Sequence, residues 1–459
     1  MDMKKRLFFL FSQMWLPLFV YSQVFVSPAD PAFRYGGSLF NKVSDTLAVF
    51  RRHSDAFLAL PRTVSHANPN KARTTTGVTV TFRTDATGVK ARFRMMPGQN
   101  RWSFSFALYV DGDSATVFKQ KRDDLTNAGD SLFSFDLPVP TGGGEHTYTL
   151  VLPVLSTPAF AGLLLTGGSG ALSAVPEEEK PVYVAYGNSI THGQGQFTGD
   201  QTWPWILAKE MGWKLYNLAV GGSTTSVPMA HMIAREITQP VDYLTILIGF
   251  NDAVWLEIDT ATYRQRLTAF IDTVRQGHPE TEIFVIGQTY TERTEDKDGN
   301  PLDFDDWRKV QHEVVEAFRA GGDGKIHYID GSLFTDHDDL KAPPTDVVHL
   351  SVAGARHLGT ALADTLTNLL ESSSVRQTRD PAGQLILFPN PTTGRITLTG
   401  FDTAIPEISL FTLTGQKVFD MGEAGERWSG YSLTLDLSHL PGGIYLLQSG
   451  DEVKRVVIQ

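Results

Sequence analysis

A switch in hydrophobic period at Val175-Pro176-Glu177-Glu178-Glu179-Lys180-Pro181 limits how this chain can fold more than any other feature does. From about Phe33 to Leu172, apolar and polar residues alternate, the period of strands with one buried face. Gly77-Val78-Thr79-Val80-Thr81-Phe82 and Val89-Lys90-Ala91-Arg92-Phe93-Arg94 flank an Asp85-Ala86-Thr87-Gly88 turn. Ala107-Leu108-Tyr109-Val110 runs into Asp111-Gly112, a two-residue hairpin signal. Leu132 to Leu137 and His146 to Leu152 continue the pattern. Many short strands with little helical periodicity predict a β-sandwich of the jelly-roll kind over residues 33–174.

Beyond the acidic, proline-flanked linker, strand-like and helix-like segments alternate. Val182 to Tyr186, Leu215 to Val220, Leu244 to Ile248 and Ile283 to Gly287 read as strands, and Trp203 to Met211, Tyr263 to Arg275 and Trp307 to Ala320 as helices. Such alternation predicts a three-layer α/β domain over residues 181–370, with a parallel sheet covered on both faces and functional groups at the carboxyl ends of its strands. Ser372-Ser373-Ser374 opens a second linker, after which residues 385–459 return to short strands and predict a small C-terminal β-sandwich. Three domains suit a chain of 459 residues.

Lys4-Lys5-Arg6 precedes a largely apolar stretch from Leu7 to Val20 and then Tyr21-Ser22-Gln23, the layout of a cleaved secretory signal over residues 1–22. Ser12 and Gln13 interrupt a run already shorter than the roughly 20 apolar residues a spanning helix needs, so no integral membrane span is expected in the exported protein. A net charge of -11 disfavours nucleic acid and anionic membranes as main partners. With no cysteine there is no disulfide, thiolate nucleophile or Cys-type zinc site. His337-Asp338-Asp339 lacks a spaced partner to complete a coordination shell and reads as a solvated acidic loop, so neither a metal nor an organic cofactor is expected.

Val182-Tyr183-Val184-Ala185-Tyr186-Gly187-Asn188-Ser189 delivers a serine onto a tight turn at a strand end. A serine hydroxyl at neutral pH is a poor nucleophile and needs a base and oxyanion donors. Asp346-Val347-Val348-His349 offers the base: an aspartate three residues before a histidine can take its Nδ1 proton and leave Nε2 free, although the same pattern also suits an exposed Asx turn. Asn217-Leu218-Ala219-Val220-Gly221-Gly222-Ser223 and Gly249-Phe250-Asn251-Asp252 each follow a strand. The paired glycines let backbone amides approach a substrate, and Asn251 brings an amide side chain; a plain turn and a helix cap are the ordinary alternatives. His192 is read as lining the cleft or capping local backbone, not as the base. Trp203, Trp205 and Trp255 are candidates for a pocket wall or for core, and Glu292 and Arg293 for substrate contact or a surface ion pair.

Taken together, the four blocks resemble those of the SGNH (GDSL-like) hydrolase family, over about residues 181–370. The resemblance implies a flavodoxin-like three-layer fold and a serine ester hydrolase. It makes Ser189 the nucleophile, His349 the base and Asp346 its orienting partner, with an oxyanion hole of the Ser189 amide, the Gly222 amide and the Asn251 side chain. The first block departs from the family's usual form, reading Gly187-Asn188-Ser189 in place of Gly-Asp-Ser, and Gly221 stands where a serine is common. Literal Gly-Asp-Ser matches at Gly112-Asp113-Ser114 and Gly129-Asp130-Ser131 follow a hairpin turn and sit in a polar loop; neither opens a helix after a parallel strand.

Residues 385–459 resemble the sorting domain of the Bacteroidetes type IX secretion system through Phe388-Pro389-Asn390-Pro391-Thr392-Thr393-Gly394, Leu413-Thr414-Gly415 and Gly442-Gly443-Ile444-Tyr445. That implies export through the periplasm of a Gram-negative bacterium to the cell surface or beyond, with the type IX machinery as a partner. The N-terminal sandwich is similar in order and architecture to domains that precede catalytic domains in SGNH-type carbohydrate esterases. The combined expectation is a secreted serine esterase acting on O-acetylated carbohydrate. A lipase or short-chain esterase, and an inactive surface carbohydrate-binding protein, are the alternatives.

Overall fold

The computed structural model describes residues 23–122, 131–176, 178–375, 386–399, 408–412, 415–420, 427–429, 432–449 and 452–459. The expected signal segment, Gly129-Asp130 of the second Gly-Asp-Ser match and Leu413-Thr414 of the C-terminal motif lie outside these residues.

Two antiparallel sheets build the N-terminal sandwich. One orders Lys42–Val43, Ala48–Val49, Pro158–Thr166, Gly88–Met95 and Leu132–Leu137, with Val24–Val26 also paired to Pro158–Thr166; the other orders Arg34–Gly36, Thr79–Thr84, His146–Val151, Ser103–Val110 and Asp113–Lys121. Their facing sides share a phenylalanine-rich core that includes Phe82, Phe93, Phe106 and Phe160. Asp113 and Ser114 begin a hairpin strand after the Asp111-Gly112 turn, whose φ values of 52° and 91° are those of a mirror-image turn.

Between Val49 and Thr79 the chain leaves the sandwich. It forms three short helices, α1 (Asp55–Ala59), α2 (Arg62–Ser65) and α3 (Pro69–Ala72). Phe57, Leu58, Ala67 and Ala72 from this excursion join a core dominated by the central domain.

The central sheet is parallel, with strands β1 (Val182–Gly187), β2 (Lys214–Asn217), β3 (Tyr243–Leu247), β4 (Glu282–Ile286) and β5 (Ile326–Ile329) in the spatial order 2-1-3-4-5. This is the flavodoxin-like order, whose ligand crevice opens where neighbouring connections run in opposite directions. β1 shows why the domain has three layers. Val182, Val184 and Tyr186 face one core, while the alternate residues Tyr183 and Ala185 face another, so both sides of the strand are covered. Helix α4 (Ser189–His192) follows β1, α5 (Trp203–Met211) follows it in the chain, and α6 (Val227–Glu236) precedes β3. Then come α7 (Phe250–Val254), α8 (Thr260–Gly277) and α9 (Phe304–Ala320). A small antiparallel pair, β6 (Leu340–Ala342) and β7 (Asp346–Leu350), leads into α10 (Val352–Val375). Helix α6 and strand β5 go beyond the set expected from periodicity.

Strand β2 stops at Asn217, short of the expected Val220. The Asn217 side chain accepts the Ala219 N–H at 3.1 Å and donates to the Thr191 carbonyl at 2.9 Å, which bends the backbone out of regular strand geometry, although the Leu218 and Val220 N–H groups still donate to the Ala185 and Gly187 carbonyls of β1 at 2.9 and 3.1 Å.

The C-terminal segment folds as two four-stranded antiparallel sheets around Leu387, Ile396, Leu398, Leu410, Leu447 and Val456. Phe388 stacks on Phe334 of the central domain with ring centroids 5.3 Å apart. No helix among the described residues is long and apolar enough to cross a membrane.

Candidate active site

Gly187 ends β1, and Asn188 caps α4 by accepting the Ile190 N–H at 3.0 Å. Ser189 is therefore the first helical residue, at the carboxyl end of a central strand, with its N–H facing outward from a helix start. Its Oγ lies 2.9 Å from His349 Nε2. The other ring nitrogen, Nδ1, lies 2.9 and 3.0 Å from the two oxygens of Asp346. A carboxylate only accepts, so Nδ1 carries the proton and Nε2 presents its lone pair to the serine.

The Asp346 carboxylate also accepts the His349 N–H at 3.1 Å and the Lys341 ammonium at 3.0 Å. Burial alone would raise its pKa, but these donors and the His349 ring bring it below the ordinary carboxylate value, which keeps it ionised. His349 moves downward as well. Burial is the main cause, opposed by Asp346 and reinforced by the charges of Lys341 and Lys71.

Gly221 and Gly222 follow β2 and lie beside α4. The Gly221 N–H is already used, donating to His192 Nδ1 at 2.9 Å, whereas no described residue accepts from the Gly222 N–H. Gly222 has a φ of 79°, a conformation that suits glycine. Asn251 sits in the first turn of α7, 4% exposed, and donates one Nδ2 hydrogen to the Ser223 carbonyl at 2.8 Å. That bond fixes the amide plane and leaves the second hydrogen to point elsewhere. Gly249, not Asn251 or Asp252, is the N-cap of α7, and no side chain caps that helix. Gly249 has a φ of 120°, and a methyl group there would lie 2.7 Å from the Tyr263 hydroxyl. Asp252 ties the neighbouring loop down by accepting the Thr225 N–H at 3.0 Å.

Residues 185–357 match the model of the GDSL-like lipase/acylhydrolase family, an interval that spans all four blocks. The central domain is a GDSL-like lipase/acylhydrolase domain. Residues 386–459 match the secretion system C-terminal sorting domain. None of the curated proteins compared with the chain matches it. Among solved structures, a salicylyl-acyltransferase from a tetracycline biosynthetic pathway is similar at 22% identity and a TM-score of 0.63, covering 78% of this chain and 99% of that one. A protein described as a GDSL-like lipase from Bacteroides ovatus is similar at 19% identity and a TM-score of 0.59, covering 77% and 98%. A family two carbohydrate esterase from Cellvibrio japonicus is similar at 14% identity and a TM-score of 0.54, covering 76% and 98%. At these identities the likeness is one of fold: the SGNH hydrolase fold preceded by a β-rich domain.

The GDSL-like domain does not build its site alone. Arg52, 1% exposed, reaches from the N-terminal excursion into the loop after β2. Its guanidinium donates to the Asn217 carbonyl, to the Ala219 carbonyl at 3.0 Å and to the Thr74 carbonyl at 2.7 Å. No carboxylate accompanies it, and burial pushes its pKa down to about 9. Arg101 of the sandwich donates to the Gln196 carbonyl, and Gln196 in turn donates to the Leu350 carbonyl at 2.9 Å, which joins the segment after Ser189 to the end of β7.

Of the two readings of His192, the structure has the backbone cap and not the cleft-lining residue: it is 0% exposed. Its Nδ1 accepts from Gly221, and its Nε2 lies 2.8 Å from the Thr74 hydroxyl, which itself donates to the Lys71 carbonyl at 2.7 Å. Burial, with Arg52 and Lys71 nearby, pushes this imidazole well below its ordinary range, so it stays neutral and acts as a backbone cap. Trp203 is fully buried in the core under α5 and walls no pocket, whereas Trp255 is 56% exposed. Glu292 pairs with His337, and Arg293 donates to the Glu295 and Asp296 carbonyls, so the two do not pair with each other. Among the described residues no cluster of His, Cys, Asp or Glu could hold a metal.

Sequence reasoning passed over Arg52, Lys71, Thr74 and Arg101. One signal was present: Arg51, Arg52, Arg62, Lys71 and Arg73 concentrate cations in a short stretch of an otherwise acidic chain.

Proposed function

We propose that this protein is an exported serine esterase that removes acetyl groups from O-acetylated carbohydrate. The observation that carries the reading is the 2.9 Å approach of Ser189 Oγ to His349 Nε2, with Nδ1 held on Asp346. As Oγ attacks the ester carbonyl, its proton passes to Nε2, and Asp346 stabilises the imidazolium that forms. The new oxyanion takes hydrogen bonds from the Ser189 N–H, the Gly222 N–H and the second Asn251 Nδ2 hydrogen. When the tetrahedral centre collapses, His349 returns the proton to the departing alcohol oxygen. Water then repeats the sequence on the acyl-serine: His349 takes its proton, acetate leaves, and Oγ recovers its hydrogen.

Carbohydrate as substrate is supported by the β-sandwich companion, by the C-terminal sorting domain and by the architecture shared with a family two carbohydrate esterase. The sorting domain also supports the type IX route to the cell surface or the medium. Two variants test the chemistry. Ser189→Ala and His349→Ala should each lower turnover of p-nitrophenyl acetate by several orders of magnitude, as when members of other triads are removed. Unchanged rates would reject the assignment. Acetate release from acetylated glycans, set against p-nitrophenyl esters of increasing chain length, tests the substrate class.

A further inference from the structure

Lys71, in α3, brings a charge to the site that the chemistry above does not use. A methyl group built on Gly221 would lie 3.6 Å from Lys71 Nζ, and one built on Gly222 would lie 3.8 Å from it. The ammonium therefore stands directly against the loop whose Gly222 amide faces the reacting centre. The backbone below it is firmly held. Its N–H reaches Asn68 Oδ1 at 3.3 Å, and its carbonyl accepts from the Thr74 hydroxyl at 2.7 Å and from Arg52 at 3.4 Å.

The side chain is half-buried, yet no described residue accepts a hydrogen bond from Nζ or forms an ion pair with it. The charges around it offer no neutralisation. Arg52 and Arg62 are cations, His192 is a buried neutral imidazole, and the Asp346 carboxylate is engaged by His349 and Lys341. Burial and Arg62 push the Lys71 pKa downward, the direction of a cation short of a counter-charge. The developing oxyanion does not fill the gap, since two backbone amides and Asn251 already match its three lone pairs. An acidic chain of net charge -11 repels anions at long range, so a cation without an ion-pair partner at its reacting centre selects by contact.

We propose that Lys71 is a recognition point for an anionic group, a carboxylate or sulfate, carried by the substrate next to the scissile ester. This rests on the esterase reading above and narrows it to acetylated acidic sugars or comparably charged esters.

The test compares kcat/KM for matched acetates: an O-acetylated methyl glucuronoside with its carboxylate free against the corresponding methyl glucoside, a 6-sulfated methyl glucoside as a third arm, and 3-carboxyphenyl against phenyl acetate. The wild-type protein should favour the anionic member of each pair at low ionic strength and lose part of that preference in salt. Lys71→Met should reduce the anionic-to-neutral ratio about 10- to 100-fold, the range for one hydrogen bond to a charged group. Lys71→Arg should keep most of it. The sulfate arm separates the two anions. An unchanged ratio in Lys71→Met overturns the proposal, and equal losses on both members overturn it by assigning the charge to the oxyanion. Ser189→Ala, run on the same pairs, reports separately on the esterase reading: activity that survives in it defeats that reading whatever the ratio shows.

Discussion

Replacing Arg52 with methionine tests whether the N-terminal excursion holds the proposed oxyanion loop in place. The guanidinium donates to the carbonyls of Asn217, Ala219 and Thr74, all buried. Leaving three buried acceptors without a donor costs about 1–3 kcal/mol each, or roughly 3–9 kcal/mol. Removing the cation gives some of this back. A pKa that falls from 12.5 to about 9 on burial corresponds to about 5 kcal/mol against the charged form. The two terms largely cancel, so global stability should change by no more than a few kcal/mol. The position of the loop has no such compensation. Without Arg52, the segment from Asn217 to Gly222 keeps its bonds to Thr191 and His192 but loses two of its ties to the N-terminal excursion, and the Gly222 N–H shifts from its proposed place at the oxyanion. Loss of one oxyanion donor costs about 10²–10³ in kcat. Arg52→Met should therefore approach a 10²-fold fall in kcat on p-nitrophenyl acetate while the protein stays folded under the assay conditions, its stability in denaturant changed by no more than a few kcal/mol. A large loss of stability with normal kcat in the remaining folded protein would refute this reasoning.

Two further outcomes follow from the site. Asn251→Ala should lower kcat by about 10²–10³ with KM little changed, beyond the stability cost of about 1–3 kcal/mol for leaving the buried Ser223 carbonyl without its donor; that stability loss without a kcat loss would contradict the oxyanion role. The acid limb of kcat/KM should fall below the ordinary imidazole pKa of about 6.5. Burial lowers the pKa of His349, so the neutral, proton-accepting ring persists as pH falls through that value, and activity is lost only at lower pH. A pH profile with its midpoint above 6.5 would show that this sign is wrong.

Much of the architecture was readable because it is periodic. The run Val182-Tyr183-Val184-Ala185-Tyr186 is apolar on both faces and so announces a strand covered on both sides, as the two separate cores against it show. The pairing of Asp346 and His349 was readable because the two stand three residues apart, where a local Asx-type turn, with Asp346 Oδ1 accepting the His349 N–H at 3.1 Å, brings the carboxylate to the ring. The fate of His192 was not. Nothing within α4 says that its ring is sealed in by Thr74 and Arg52, residues more than a hundred positions earlier.

The chain's own pattern thus determined the order of its layers, the strand ends on which Ser189, Gly222 and Asn251 lie, and the local pairing of Asp346 with His349. Tertiary structure decided which side chains surround them: Arg52 under the Gly222 loop, Lys71 against its glycines, Arg101 braced on the segment after Ser189. Periodicity records how a segment meets the layer next to it, and it leaves no mark of a contact such as Arg52 to Asn217, made across 165 positions of sequence. Such contacts exist only once the chain between them has folded.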